Sequence, residues 1–254
     1  MAVRVDSALP QTCYPAVWLW PGHGLYAGPS LDLGHHSGSV WCLVLGVDRE
    51  LTVTANGRSV AARSALIPPR MTHKLDTRGG RLVSCYLDPS SGRATACRDL
   101  CHESPNGVFV DHDAQRTLTA IPSDADHARR WIEIAAPVSA HPMNHRITLA
   151  VKRIRSSLPE SPSLRDLAVD ASLSESRFLQ LFRQEAGTSL RRYRSWSRLL
   201  RVGLGVSAGL TLTDAAAEAG FASPSHLSDT FKATFGLTAS QLLASGTALH
   251  VATD

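Results

Sequence analysis

Long apolar runs are missing from this chain. The longest, Val40 to Val47, falls far short of the ~20 residues that a membrane-spanning helix needs. The N-terminal stretch MAVRVDSALPQTCYPAVWLW has one early Arg and no apolar segment of signal-peptide length, so a cytoplasmic protein with no membrane partner is expected. Cysteine is scarce as well. The five residues, Cys13, Cys42, Cys85, Cys97 and Cys101, are odd in number and irregularly spaced, which argues against a secreted disulfide framework and for reduced thiols. There is no Gly-rich phosphate loop, and no Ser/His/Asp or paired-carboxylate arrangement stands out. Neither an enzyme nor a cofactor is therefore expected.

What is present is a soluble composition, 43% hydrophobic and 19% charged, over 254 residues, enough for one large domain or two ordinary ones. The formal charge of +4 is unevenly placed. Residues 1–142 hold 13 Lys/Arg and 13 Asp/Glu, whereas residues 143–254 hold 13 and 9, so the whole excess lies in the second part. There Arg191, Arg192, Arg194, Arg198 and Arg201 follow one another with no acid between them. Such a run is a solvated helix face or, beside a DNA-binding motif, a phosphate-contact surface.

The periodicity also changes. In the first part, apolar Val40–Gly46, the alternating Leu51-Thr-Val-Thr-Ala, Ser64-Ala-Leu-Ile and Arg81–Leu87 read as short strands. Asn56-Gly57 predicts a type I′ hairpin, and Pro68-Pro69 and Gly79-Gly80 mark turns. A small barrel or sandwich is expected. The stretch from Ser123 to Ile134 predicts a helix with Ser123 as N-cap, followed by a linker with Pro137 and Pro142. From Met143 onward the period is helical, with Ile147, Val151, Ile154 and Leu158 on one face.

The second part repeats itself. SLRDLAVDASL (from Ser163) aligns with TLTDAAAEAGF (from Thr211), and SESRFLQLFRQEAGTS (from Ser174) with SPSHLSDTFKATFGLT (from Ser223). Each unit has an N-cap with an acid three residues on, small residues (Ala168 and Ala171; Ala216 and Ala219), a second N-cap, an apolar stripe and a C-terminal Gly (Gly187; Gly236). Two capped helices around a tight turn are a helix-turn-helix, and here the pattern occurs twice. The stretch AGFASPSHLSDTFKATFG resembles the signature of the AraC/XylS family of bacterial regulators, over roughly residues 144–246. That resemblance implies a long helix at Ser189–Ala208 joining the two units, with Tyr193, Trp196 and Leu200 in the core. Gly203 and Gly205 should weaken its last turns.

The resemblance also implies promoter DNA as partner, with the second helix of each unit in the major groove. Base-reading candidates are Ser176, Arg177, Gln180 and Gln184 in the first unit and Pro224, Ser225, Ser228 and Asp229 in the second. Arg183, Arg191, Arg192, Arg194 and Lys232 are phosphate candidates. Many members of that family carry Arg where Asp229 stands, so the second unit is expected to contribute less affinity or to read a different base. Thr238-Ala239 replaces the Ser-Pro usual there.

The first part resembles the cupin-type sensor domains attached to such regulators, through its strand pattern and Pro68 followed by His73. A small effector is expected in the barrel, near His35, His36, Trp41, His73 and Tyr86. Two alternatives stay open: a metal-dependent cupin enzyme using His35, His36 and His73 with a DNA-binding appendage, and a thiol or metal sensor using Cys97, Cys101 and His102. No metal is part of the main reading.

The expected fold is therefore α+β: a cupin-like β-barrel sensor domain (1–122), a helix and linker suited to dimerisation (123–142), and an all-α double helix-turn-helix domain (143–254). A homodimer acting on double-stranded promoter DNA is expected, with a small-molecule effector and RNA polymerase as further partners.

Overall fold

The computed structural model describes residues 15–138 and 143–252; Cys13 and linker residues 139–142 lie outside them. The first part forms strands β1 (Ala16–Trp20), β2 (His23–Pro29), β3 (Trp41–Gly46), β4 (Leu51–Ala55), β5 (Arg58–Ala62), β6 (Ser64–Ile67), β7 (His73–Asp76), β8 (Arg81–Leu87), β9 (His102–Glu103) and β10 (Phe109–Val110). They make two sheets rather than one closed barrel. The larger runs β11-β1-β2-β8-β3-β6-β10-β9, and the smaller runs β5-β4-β7. Its first edge strand, β11 (Ala248–Val251), comes from the far end of the chain and pairs in parallel with β1, Ala16 opposite Ala248.

Strand β3 lies between β6 and β8 and is buried on both faces, which is why WCLVLG is apolar without alternation. Leu43 and Leu45 point into one core, which includes Ala128, Trp131 and Ile132. Val44 points into the other, with Leu51, Val53 and Leu75 of the smaller sheet. The β4–β5 hairpin turns at Asn56 (φ 51°) and Gly57 (φ 71°), the two left-handed positions a type I′ turn requires.

Helices α1 (Arg93–Asp99), α2 (Gln115–Leu118) and α3 (Ala125–Ala135) complete this part. The N-cap of α3 is Asp124, not Ser123: the Asp124 carboxylate accepts from the His127 N–H, while the Ser123 hydroxyl bonds the His127 ring. The apolar face of α3 packs inward, and Trp131 Nε1 donates to the Leu118 carbonyl at 2.9 Å.

The second part is helical: α4 (His145–Ser156), α5 (Leu164–Asp170), α6 (Glu175–Ala186), α7 (Leu190–Ser207), α8 (Leu212–Glu218), α9 (Pro224–Phe235) and α10 (Ala239–Ala244). Every N-cap proposed for the repeat is made. Ser163 and Asp166 form a reciprocal capping box on α5, and Thr211 accepts from the Asp214 N–H on α8. Ser174 and Ser223 cap α6 and α9, and Gly187 (φ 64°) and Gly236 (φ 84°) end them in left-handed conformation. Tyr193 and Trp196 of α7 are buried with Phe178, Phe182 and Ile154. Gly203 and Gly205 do not interrupt α7, which continues to Ser207. Their use is close approach: a Cβ on Gly203 would lie 2.7 Å from Leu19 Cδ1, and one on Gly205 would lie 3.1 Å from Ala215 Cβ. No helix among the described residues is long and apolar enough to cross a membrane.

Candidate nucleic-acid interface and its link to the β-domain

α5–α6 and α8–α9 are the two helix-turn-helix units, joined by α7, which at 18 residues is ~27 Å long. The buried stripe of α6 (Phe178, Phe182, Ala186) turns inward, so its opposite face is free. Ser176, Arg177, Gln180, Arg183 and Gln184 are all exposed there. Arg177 Nη1 donates to Gln180 Oε1 at 2.8 Å, so the two base-reading candidates of the first unit already share a hydrogen bond. On α9, Pro224, Ser225 and Asp229 are exposed and Ser228 is half-buried beside the inward Leu227.

The phosphate candidates divide. Arg191 and Lys232 are exposed. Arg192 instead faces the β-domain, with Nη1 donating to Ser37 Oγ at 3.0 Å and to the Ser37 carbonyl at 3.3 Å. Arg194 Nη2 donates to the Pro162 carbonyl at 2.5 Å. Burial lowers the pKa of both guanidinium groups from the usual arginine value.

Arg192 is one of several ties between the domains. The Gly34 N–H donates to the Gly236 carbonyl at 3.1 Å and the Ser37 N–H to the Ala233 carbonyl at 3.0 Å, so residues 34–37 clasp the C-terminal end of α9. Trp196 Nε1 donates to the Gly22 carbonyl at 3.2 Å. Asp88, fully buried after β8, accepts from Tyr193 Oη at 2.8 Å, and Arg155 Nη1 stands 3.5 Å from the same carboxylate oxygen.

Between the domains lies an apolar cavity of about 140 Å³. Val17, Leu19 and Tyr86 line it from the sheet, and Trp196, Leu200 and Phe235 from the helices; no lining residue is charged. The Tyr86 ring meets Phe235 edge-on at 5.1 Å and Trp196 at 5.7 Å.

Of the residues expected around an effector, Tyr86 alone lines this cavity. Trp41 packs on Phe109, and His35 is exposed. His36 and His73 form a buried ring pair 4.2 Å apart, beneath the clasp on α9. Each gives its Nδ1–H to a carbonyl, His36 to Gly34 and His73 to Met71, so each keeps its lone pair on Nε2. Burial lowers both pKa values, that of His73 to about 4. Among the described residues, His35, His36 and His73 do not converge into a three-donor cluster.

Three functional features escaped sequence reasoning: the Asp88 hub, the interdomain cavity and the return of β11 to the sheet. A lone Asp before a Pro, and the four residues ALHV, give no local signal of such roles.

Residues 167–245 match the family described as "Helix-turn-helix domain", from within α5 to the end of α10. Those residues are thus a helix-turn-helix domain by match as well as by geometry. With the two repeated units and the attached β-domain, the chain is a DNA-binding transcription regulator. No curated protein matches it in sequence.

The fold is similar to that of ToxT from Vibrio cholerae. One ToxT structure is 12% identical with a TM-score of 0.55, covering 89% of this chain and 99% of that one. An apo single-residue variant of ToxT is 10% identical with a TM-score of 0.60, covering 89% and 98%. Wild-type ToxT with an unsaturated fatty acid bound is 13% identical with a TM-score of 0.53, covering 92% and 95%. At these identities the likeness is one of fold.

Proposed function

We propose that this regulator reads promoter DNA with α6 and α9 and that an apolar molecule between its two domains controls that reading. The observation that carries the proposal is the pair of capped helices with inward apolar stripes and free polar faces on either side of α7. Arg177, Gln180, Gln184 and Ser176 are the base readers of the first unit; Pro224, Ser225, Ser228 and Asp229 are those of the second. Arg183, Arg191 and Lys232, all exposed, are the phosphate contacts of this reading, whereas Arg192 and Arg194 reach phosphate only by leaving Ser37 and Pro162. A mobility shift on the DNA upstream of its own gene tests this reading. A salt-sensitive, sequence-selective shift is expected, and its absence from every promoter tried would overturn it.

The effector site is the interdomain cavity rather than the interior of the β-domain. About 140 Å³ of apolar space accommodates a group the size of one ring, so a larger body must open the interface. ToxT has been solved with an unsaturated fatty acid and with (E)-4-(8-methylnaphthalen-1-yl)but-3-enoic acid, both apolar bodies bearing a carboxylate. Here an adjoining hollow shares Leu31 and Leu237 with the cavity and adds Lys232 and Gln241, which suit such a headgroup, together with Asp32, which opposes it. A ligand held by both domains favours the arrangement in which Arg192 is engaged with Ser37, and so weakens DNA binding. The shift assay repeated with a long-chain unsaturated carboxylic acid checks this: the ligand should release DNA, and an unchanged shift at saturating acid would overturn it.

Dimerisation and contact with RNA polymerase belong to the same reading. Trp131 and Ile132 of α3 are committed to the chain's own core, which leaves the exposed Ile134 for a second copy.

A further inference from the structure

The sequence places two thiols four residues apart, at Cys97 and Cys101, with His102 next to them. The fold chooses a different histidine. His102 is exposed on β9, while His112, ten residues further on, is fully buried. The ligand atoms of Cys97, Cys101 and His112 all lie within 4.8 Å of one another. We propose that these three residues form a binding site for a thiophilic d¹⁰ cation, Zn²⁺ or Cu⁺, separate from the DNA face and from the apolar cavity.

The segments that carry the donors are held together independently of any metal. The Asp113 N–H donates to the Leu100 carbonyl at 2.9 Å, and β9 pairs with β10, Val110 opposite His102. The His112 backbone N–H donates to Ser64 Oγ at 2.8 Å. Both ring nitrogens of His112 are hydrogen-bonded, so a metal takes the place of one of these bonds while the other orients the ring. Its Nδ1 accepts from the Ala114 N–H at 3.0 Å, so the proton is on Nε2, which gives it to the Ala135 carbonyl at 2.9 Å. The imidazole is then neutral with its lone pair on Nδ1, and a metal bound through that atom would displace the Ala114 N–H.

The distances suit closure onto an ion. Zinc–sulfur and zinc–nitrogen bonds of ~2.3 and ~2.0 Å put neighbouring donors roughly 3.5–4 Å apart, within about 1 Å of the present spread. Cys97 is buried and Cys101 is half-exposed, which provides an inner anchor and an entry side. Two thiolates with one imidazole are soft donors, the set that Zn²⁺ and Cu⁺ prefer over hard cations. Among the described residues the cluster has three members, leaving one position for solvent on a four-coordinate ion. Binding breaks two S–H bonds, forms two metal–sulfur bonds and one metal–nitrogen bond, and releases two protons, with no change of oxidation state.

The site also has an outlet. Ala135 ends α3, whose C-cap, Ala136, accepts at its carbonyl from Arg93 Nη1 at 2.5 Å. A metal on His112 therefore stiffens the corner where the chain leaves for the DNA-binding domain.

The test is titration of the full-length protein, reduced and with its thiols counted, using Co²⁺ as the spectroscopic probe. One Co²⁺ per chain with a thiolate charge-transfer band in the near ultraviolet is expected, with displacement by Zn²⁺ or, anaerobically, by Cu⁺ identifying the preferred ion. Loss of a direct ligand should exceed the 10–100-fold cost of losing an outer partner, so Cys101→Ser should weaken binding more than about 100-fold. His102→Ala should leave it unchanged. Cys101→Ser removes a half-exposed thiol and so keeps the test open if Cys97 or His112 variants do not fold. Absence of the band, or equal affinity in wild type and Cys101→Ser, would overturn the proposal, as would loss of binding in His102→Ala.

Discussion

Tyr193 Oη donates a 2.8 Å hydrogen bond to the carboxylate of Asp88, a residue 105 positions earlier, with both side chains fully buried. The bond joins α7, the helix between the two DNA-reading units, to the loop that follows β8. Asp88 also accepts from the Ser90 N–H and hydroxyl, so the carboxylate is held in place before Tyr193 reaches it.

Tyr193→Phe leaves Asp88 Oδ2 with Arg155 alone, 3.5 Å away. Removing one partner of a buried charged acceptor costs ~1–3 kcal/mol. The urea midpoint should fall accordingly, and an unchanged midpoint would mean that the bond does not contribute to holding the domains.

Base reading and phosphate contact separate by mutation. Arg177→Ala should relax preference at one base position, losing ~1–3 kcal/mol of discrimination. Arg191→Ala, on an exposed site before the buried face of α7, should weaken all sequences alike and reduce the salt slope by about 1. Binding measured across a set of single-base operator variants at several salt concentrations distinguishes the two.

Acid should destabilise the protein in a defined window. His73 and His23 both have pKa values lowered from 6.5 to about 4, chiefly by burial, and that of His36 is lowered too. Around His23 stand Asp88, Arg93 and Arg155, and around His73 stand His36 and His35. Below pH 6.5 the unfolded chain takes up protons that the folded chain refuses, so stability is intact above that pH and falls as pH drops toward about 4. Denaturation midpoints between pH 7 and 4 should show this slope, and His73→Gln should make it shallower.

Gly236→Ala tests the clasp on α9. The position has φ 84°, and a Cβ there would lie 2.8 Å from the Gly34 carbonyl oxygen, a backbone atom that cannot swing aside. The left-handed backbone alone costs ~1–2 kcal/mol for a residue with a Cβ. A lower Tm together with faster proteolysis of residues 32–38 is the expected outcome. Gly209→Ala, at φ 94° but with open space around it, should carry the backbone cost without the change in proteolysis.

The parts legible in the sequence are those whose causes lie within one or two turns. Ser163 meets Asp166 three residues away, Asn56-Gly57 makes its own turn, and Gly187 and Gly236 end the helices that precede them. The N-cap of α3 slipped by one because Ser123 and Asp124 are both good acceptors, and only the backbone geometry decides which meets the His127 N–H. Gly203 and Gly205 look like weak points of α7 in the sequence because their partners, Leu19 and Ala215, come from outside the helix.

The same reach in sequence separates what the chain alone determined from what its tertiary structure decided. Caps, apolar periodicity and the 48-to-49-residue repeat determined two helix-turn-helix units and a strand-rich first part, because those forces act between near neighbours. The tertiary structure decided which histidine joins Cys97 and Cys101, that Arg192 faces Ser37, and that the apolar cavity lies between the domains. These last depend on side chains brought together across tens to more than a hundred residues. Which of them meet is settled by the packing of whole sheets and helices, and no local pattern records it.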